Sequence, residues 1–340
     1  MITSCTPLYR GPHFFERLFS CFFPTMLCRL HAMLLAAAFF ALIGPGSTTR
    51  SSKRGLVYVP SSKHPDDGEI FVGNGSDLTW YYNYGYAETD LYDNTSLNFV
   101  PMLWGASDED TSTTFLDAVE KLLDNGRNIT HVLAFNEPDG GHSTGGSNVP
   151  ADLAASTWKR QIEPLRKKGV KVGAPAVTSA PTGFTWLQNF FSECAGGCHP
   201  DFIPVHFYGN FEGLASHLGQ VMATYPNMSE VWVTEFALAE EDLKTTQTFF
   251  NQSIEYLDRL TNVTRYSYFG SFRSDVSNVG PNVAMLNQQG KLTDIGSWYL
   301  GGSATNVKPK GAAGRIGTFD GWTIVVVLAG LFHAGLFLVC

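Results

Sequence analysis

Short apolar runs recur along the middle of the chain, and helical patterns stand between several of them. Eight runs are rich in β-branched and aromatic residues: 56–59, 78–82, 99–104, 131–136, 170–173, 202–208, 230–235 and 265–269. Their near-continuous apolarity suits parallel strands covered on both faces, because a half-exposed strand would alternate apolar with polar. A longer period governs the gaps. Over 114–123, Phe115, Val119 and Leu122 fall on one helical face, and 152–168 reads as a second helix. A third covers 246–260, with Phe249, Phe250, Ile254 and Leu257 as its apolar stripe. Strands alternating with helices predict an α/β fold, and eight strands predict a single-domain (β/α)8 TIM barrel over residues 55–302. The first two connections lack a clear helical pattern. An open doubly wound sheet is the alternative, but no Gly-x-Gly-x-x-Gly turn follows any run.

Both ends depart from this pattern. Arg29 and His31 precede an apolar stretch from Met33 to Ile43, and Gly44-Pro45-Gly46-Ser47 follows. Residues 1–47 therefore read as a leader with a secretory signal cleaved near Ser47, or as a signal anchor. Residues 303–321 form a small and polar spacer, and 322–340 are apolar apart from His333. A terminal apolar tail with no basic residues after it fits a GPI-attachment signal. A tail-anchoring membrane helix is the alternative.

Export would change the reading of the cysteines. Cys5, Cys21 and Cys28 fall in the leader and Cys340 in the tail, which leaves Cys194 and Cys198. A lone close pair in an oxidising compartment reads as one disulfide closing a short loop. His199 adjoins it, but no second Cys/His pair follows, so no metal is expected there. Asn74, Asn94, Asn128, Asn227, Asn251 and Asn262 each head an Asn-x-Ser/Thr sequon, which predicts N-glycans on an exported chain.

The 23 basic and 31 acidic side chains leave a net charge of -8. Such a chain offers no broad cationic face to phosphates, so nucleic acid is not an expected partner. Aromatic residues make up 13% of the chain, enough for a packed core, a ring-stacking cleft, or both. Barrel active sites form where strands end and the following loops begin. The fourth run ends in Asn136-Glu137-Pro138-Asp139 and the seventh in Thr234-Glu235-Phe236. One such Glu could be a strand-end cap. Two, on strands that face each other across a small barrel, predict a catalytic pair.

The ordered motifs carry a family resemblance. They are Lys53-Arg54-Gly55-Leu56, Trp80-Tyr81-Tyr82-Asn83, Phe99-Val100-Pro101-Met102-Leu103-Trp104-Gly105, Phe135-Asn136-Glu137-Pro138-Asp139, Pro204-Val205-His206-Phe207-Tyr208-Gly209, Trp232-Val233-Thr234-Glu235-Phe236 and Trp298-Tyr299-Leu300. Together they resemble glycoside hydrolase family 128, the fungal endo-β-1,3-glucanase-like barrels that include alkali-sensitive linkage proteins. One departure is His206-Phe207-Tyr208, where many relatives would carry Trp.

The resemblance implies a retaining hydrolase of the β-1,3-glucan of the cell wall, with Glu137 as general acid/base and Glu235 as nucleophile. Asn136 would bond the sugar 2-hydroxyl. His206 and Tyr208 alternate along one strand and so share a face; they would line the pocket floor, Tyr208 donating to the Glu235 carboxylate. Trp80, Tyr82, Trp104 and Trp298 are candidate sugar platforms, each with core packing as its alternative. Lys53-Arg54 also resembles a dibasic processing site. No cofactor is expected, and the partners implied are the glucan itself and a membrane reached through the tail, with the protein a monomer at the cell surface or wall. The alternative function is a non-catalytic glucan-binding wall protein on the same barrel.

Overall fold

Each of the eight apolar runs holds a strand, and every ladder between them is parallel. The strands are β1 (Arg54–Val57), β2 (Trp80–Tyr82), β3 (Asn98–Phe99), β4 (His131–Val132), β5 (Lys171–Val172), β6 (Ile203–Tyr208), β7 (Val231–Ala237) and β8 (Val263–Tyr268). They form a six-stranded sheet in the order β3-β2-β1-β8-β7-β6 and a two-stranded sheet of β4 and β5. Single bridges join Met102 to Leu133 and Gly173 to Phe202, where the two sheets adjoin. The fold is α/β with parallel strands. The continuous ladders do not run around a complete ring.

This computed structural model describes residues 51–106 and 111–309, all within one unit that starts at Arg50. The leader (1–47), the tail (322–340) and Cys5, Cys21, Cys28 and Cys340 lie outside the described residues, as does the spacer beyond 309. No helix among the described residues is long and apolar enough to cross a membrane.

Helices α1 (Thr114–Asp124), α2 (Ala151–Gln161), α3 (Glu163–Arg166), α4 (Pro181–Cys194), α5 (Phe211–Thr224), α6 (Leu243–Arg259) and α7 (Asp294–Tyr299) follow the later strands. The first two connections carry only 3₁₀ turns, Pro65–Val72 and Asp90–Tyr92. The helix expected over 152–168 breaks at Ile162. Pro164 lacks the N–H that would continue it, and its ring crowds the carbonyl four residues back. Helices α4, α5 and α7 announce themselves only at their starts. Pro181 opens the first turn of α4, while Asn210 and Thr293 accept from Gly213 N and Gly296 N.

Two apolar layers result. Helix residues such as Phe115, Trp158, Phe190 and Phe249 pack on one face of the strands. Val57, Trp80, Tyr82, Val100, Met102, Leu133, Phe202 and Trp232 fill the opposite, strand-only face.

The C-terminal segment is tied to β1 by charge. Arg54 donates to Asp77, to Tyr266 Oη and to the carbonyls of Trp298 and Tyr299. Lys53 Nζ donates to the carbonyls of Leu257, Asp258 and Leu260 at the end of α6. Lys53-Arg54 is thus a structural seam, and Arg54 is buried away from a processing protease. Cys194 and Cys198 are disulfide-bonded across the left-handed end of α4. All six sequon asparagines are exposed.

Beneath the inner layer, the His131 ring lies 4.8 Å from Trp232, and the Arg265 guanidinium stacks 4.5 Å from the same indole. Burial, then the charges of Arg265 and Lys171, push the imidazole down from 6.5 to about 3. The unfolded chain therefore binds a proton that the folded chain refuses throughout this window. Stability contributed by neutral His131 is present above the unfolded value and is lost as pH falls from 6.5 towards 3. Discounting for partial exposure, the loss is on the order of 2–4 kcal/mol. Urea unfolding of His131→Phe as a function of pH should show a flatter acid limb than the native chain. Parallel limbs would remove His131 as the cause.

Candidate active site

A cleft of about 940 Å³ opens at the C-terminal ends of the strands and contains Glu137 and Glu235. Strand β7 aims the second of these by a bulge. Val205 pairs with Val233, but His206 pairs with Glu235, so Thr234 is an extra residue. The β8 side agrees, with Val233 opposite Tyr266 and Phe236 opposite Tyr268. Regular alternation would put Glu235 on the same face as Val233, under the helices. The extra residue reverses that: Val233 and Phe236 both join the helix-side core, and Glu235 turns to the cleft. The Thr234 carbonyl is held instead by Tyr82 Oη at 3.0 Å and Ser267 Oγ at 2.6 Å.

Glu235 is 5% exposed and surrounded by phenols. Tyr84 Oη donates to Oε1 at 2.7 Å, Tyr208 Oη to Oε2 at 2.7 Å, and Tyr82 Oη approaches Oε1 at 3.4 Å. These bonds hold its rotamer from both oxygens. Burial, reinforced by the Glu235 charge, raises the Tyr84 and Tyr208 phenols well above their usual range, so both remain neutral donors.

Glu137 follows β4 and takes a left-handed backbone, φ 42°. A non-glycine residue pays for that conformation with roughly 1–2 kcal/mol, so the surroundings must impose it. They do so through Glu137 N donating to Ala176 O at 2.7 Å, and through a loop folded back on itself. At Gly146 a Cβ would lie 2.4 Å from Gly140 O and 2.7 Å from Glu137 O, so the loop closes only with glycine there. Within this loop Gly145 O accepts from Asn136 Nδ2 at 3.1 Å, while Asn136 Oδ1 is buried without a protein partner beside the cleft.

His206 joins the two acids. Its Nδ1 is 3.1 Å from Glu137 Oε1 and 3.5 Å from Glu235 Oε2. Burial opposes a charge on this ring, but the carboxylates of Glu235 and Glu137 outweigh it and raise the imidazole above its ordinary value. One donor atom from each of the three side chains lies within 4.8 Å of the others. That spacing is compact enough for a divalent ion. The phenols bond Glu235 alone, while His206 stands between the two acids.

Trp104 lines the cleft, 36% exposed, with its ring stacked on His142 at 6.1 Å. Three other expected platforms are corrected. Trp80 is fully buried in the strand-only layer, stacked 6.0 Å from Tyr82, with Nε1 donating to Lys53 O. Tyr82 is fully buried too, and its hydroxyl holds the β7 bulge, so no face is left for a sugar. Trp298 is partly buried, packed against Phe250 of α6 on the helix side, and does not line the cleft. At the HFY departure, Phe207 faces His217 of α5, so the exchange bears on packing. Tyr84 was missed by sequence reasoning. Its signal was its parity with Trp80 and Tyr82; its left-handed backbone, φ 61°, was not readable.

Parallel strands with two acids at their C-terminal ends define a glycosidase-type α/β enzyme core. Residues 55–299 match the glycosyl hydrolase catalytic core family, and the chain belongs to it. Over 261 residues it is 31% identical to alkali-sensitive linkage protein 1 of Schizosaccharomyces pombe, covering 74% of this chain but 44% of that longer protein. Among solved structures it resembles a family 128 curdlan-specific exo-β-1,3-glucanase from Blastomyces gilchristii, at 27% identity and TM-score 0.58, over 74% of this chain and 99% of that one. A family 128 oligosaccharide-binding protein from Cryptococcus neoformans shares the fold at 24% identity and TM-score 0.58, over 75% of this chain and 98% of that one.

Proposed function

We propose that this chain is a retaining glycoside hydrolase acting on β-1,3-glucan, with Glu137 as acid/base and Glu235 as nucleophile. The observation that carries this reading is the convergence of one oxygen from each carboxylate and a His206 ring nitrogen within 4.8 Å of one another. Retaining enzymes hold their carboxyl groups about 5–5.5 Å apart, whereas inversion needs about 6.5–9.5 Å to admit a water. Glu137, protonated, gives its proton to the glycosidic oxygen as the bond to the anomeric carbon breaks. Glu235 attacks that carbon and forms a glycosyl ester. Glu137, now ionised, takes a proton from water, which displaces Glu235 and returns it as a carboxylate. His206 positions Glu137 through Nδ1, and the phenols keep Glu235 aligned. The unpartnered Asn136 Oδ1 is suited to accept from the sugar 2-hydroxyl, a bond that strengthens in the transition state. Trp104 supplies an apolar face for a glucose ring.

Closure of the eight strands into one barrel belongs to this proposal; the bridges Met102–Leu133 and Gly173–Phe202 support it. So does action outside the cell, at the surface or wall, supported by the Cys194–Cys198 bond and six exposed sequons. Incubation with laminarin, followed by separation of products and proton NMR of the new reducing ends, tests the function. The expected result is soluble product released first as the β-anomer. α-Anomer would overturn the retaining assignment, and tight binding without product would make the chain a glucan-binding protein.

A further inference from the structure

Three large hydrophobic side chains are exposed among the described residues: Trp104 at 36%, Tyr86 at 42% and Val276 at 57%. Trp104 and Val276 line the catalytic cleft. Tyr86 lines a second groove of about 550 Å³, with Asn83, Thr89 and Asp90. Pro60 belongs to the wall of both, so the groove adjoins the cleft. The large exposed apolar side chains among the described residues thus lie in the candidate site and in the groove beside it.

Tyr86 is exposed yet ordered. Asn83 Oδ1 accepts from Gly85 N at 3.2 Å and its Nδ2 donates to Ala87 O at 2.9 Å, which locks the turn that carries the ring. Gly85 O also accepts from Met102 N at 2.9 Å. The Tyr86 ring meets Phe115 of α1 edge-on at 6.3 Å, leaving the rest of the ring to solvent. The same turn sends Tyr84 to Glu235, so the groove and the nucleophile are joined through two residues of backbone. An ordered aromatic surface costs little entropy on binding, and beside polar side chains it suits a sugar's apolar face and its ring of hydroxyls.

We propose that the Tyr86 groove is a distal subsite that holds glucose units of a β-1,3-glucan extending past the cleft, so that the protein favours long chains over short ones. This rests on the glucan reading above. The test compares native protein, Tyr86→Ala and Tyr86→Phe on laminaritriose and on laminarin. Tyr86→Ala is expected to raise KM for laminarin roughly five- to tenfold, the size of one aromatic contact, with kcat kept and the trisaccharide unaffected. Tyr86→Phe, which retains the ring, should restore most of the affinity. Equal effects on both substrates, or none on laminarin, would overturn the subsite. If native protein releases nothing from either substrate, the hydrolase reading fails separately. Calorimetric laminarin binding then decides the groove: weaker binding to Tyr86→Ala supports it, and undiminished or absent binding overturns it.

Discussion

Glu235→Gln is expected to reduce turnover of laminarin by roughly 10⁴-fold or more, because removing a nucleophile leaves only substrate binding and positioning. Glu137→Gln should cost about 10²–10⁴-fold, the usual contribution of general acid–base catalysis. The two losses are distinguishable. On an aryl β-glucan oligosaccharide whose leaving group needs no proton, Glu137→Gln should still form the glycosyl ester and show a burst, with azide restoring turnover as an external nucleophile. Glu235→Gln should show neither. Both variants should keep their thermal midpoint or raise it, since acids crowded together with His206 in a water-poor site serve the reaction rather than the stability of the fold. Native-like rates in either variant would refute that residue's role, and a lowered midpoint in both would recast the pair as structural.

The second large effect is on stability. Arg54→Leu should destabilise the fold by about 3–5 kcal/mol, the usual cost of removing one member of a buried ion pair. The Arg54 and Asp77 side chains are 10% and 5% exposed, so water cannot take over the lost bonds. The carbonyls of Trp298 and Tyr299 lose their donor as well, which leaves the bond from Tyr299 Oη to Gly55 O to hold the last helix on β1. At roughly 2–4 °C per kcal/mol for a chain of this size, the midpoint should fall by about 6–20 °C. Lys53→Ala removes only a cap on the end of α6 and should cost about 1 kcal/mol. Calorimetry and urea titration of both variants check the order; a larger loss from Lys53→Ala would invert this account of the seam.

Much of the framework was legible because its signals are local. A parallel strand buried on both faces must be apolar almost throughout, so the run at 202–208 could be read without knowing its neighbours. The stripe Phe249, Phe250, Ile254 and Leu257 marked α6 in the same way, and all four side chains are buried. The gaps in the reading have local causes too. Helix α5 carries Gly213 and Gly219 inside a stretch that mixes apolar with polar residues, which blurs its period, and only the cap at Asn210 marks its start. Pro164 ended a helix whose apolar pattern ran on.

The candidate site divides along the same line. That an acid stands at the end of the fourth and of the seventh strand, with His206 and Tyr208 on one face between them, follows from residue order and the two-residue period of a strand. Which way Glu235 points does not follow from it, because the bulge at Thr234 exists only relative to β6 and β8 and carries no glycine or proline to announce it. Aromatic residues show the other limit. Trp80, Tyr82, Trp104 and Trp298 are chemically alike in the sequence, yet only Trp104 reaches the cleft. Local pattern encodes where backbone becomes strand or helix; exposure depends on what packs across from each side chain, and that is decided by residues far away in the chain.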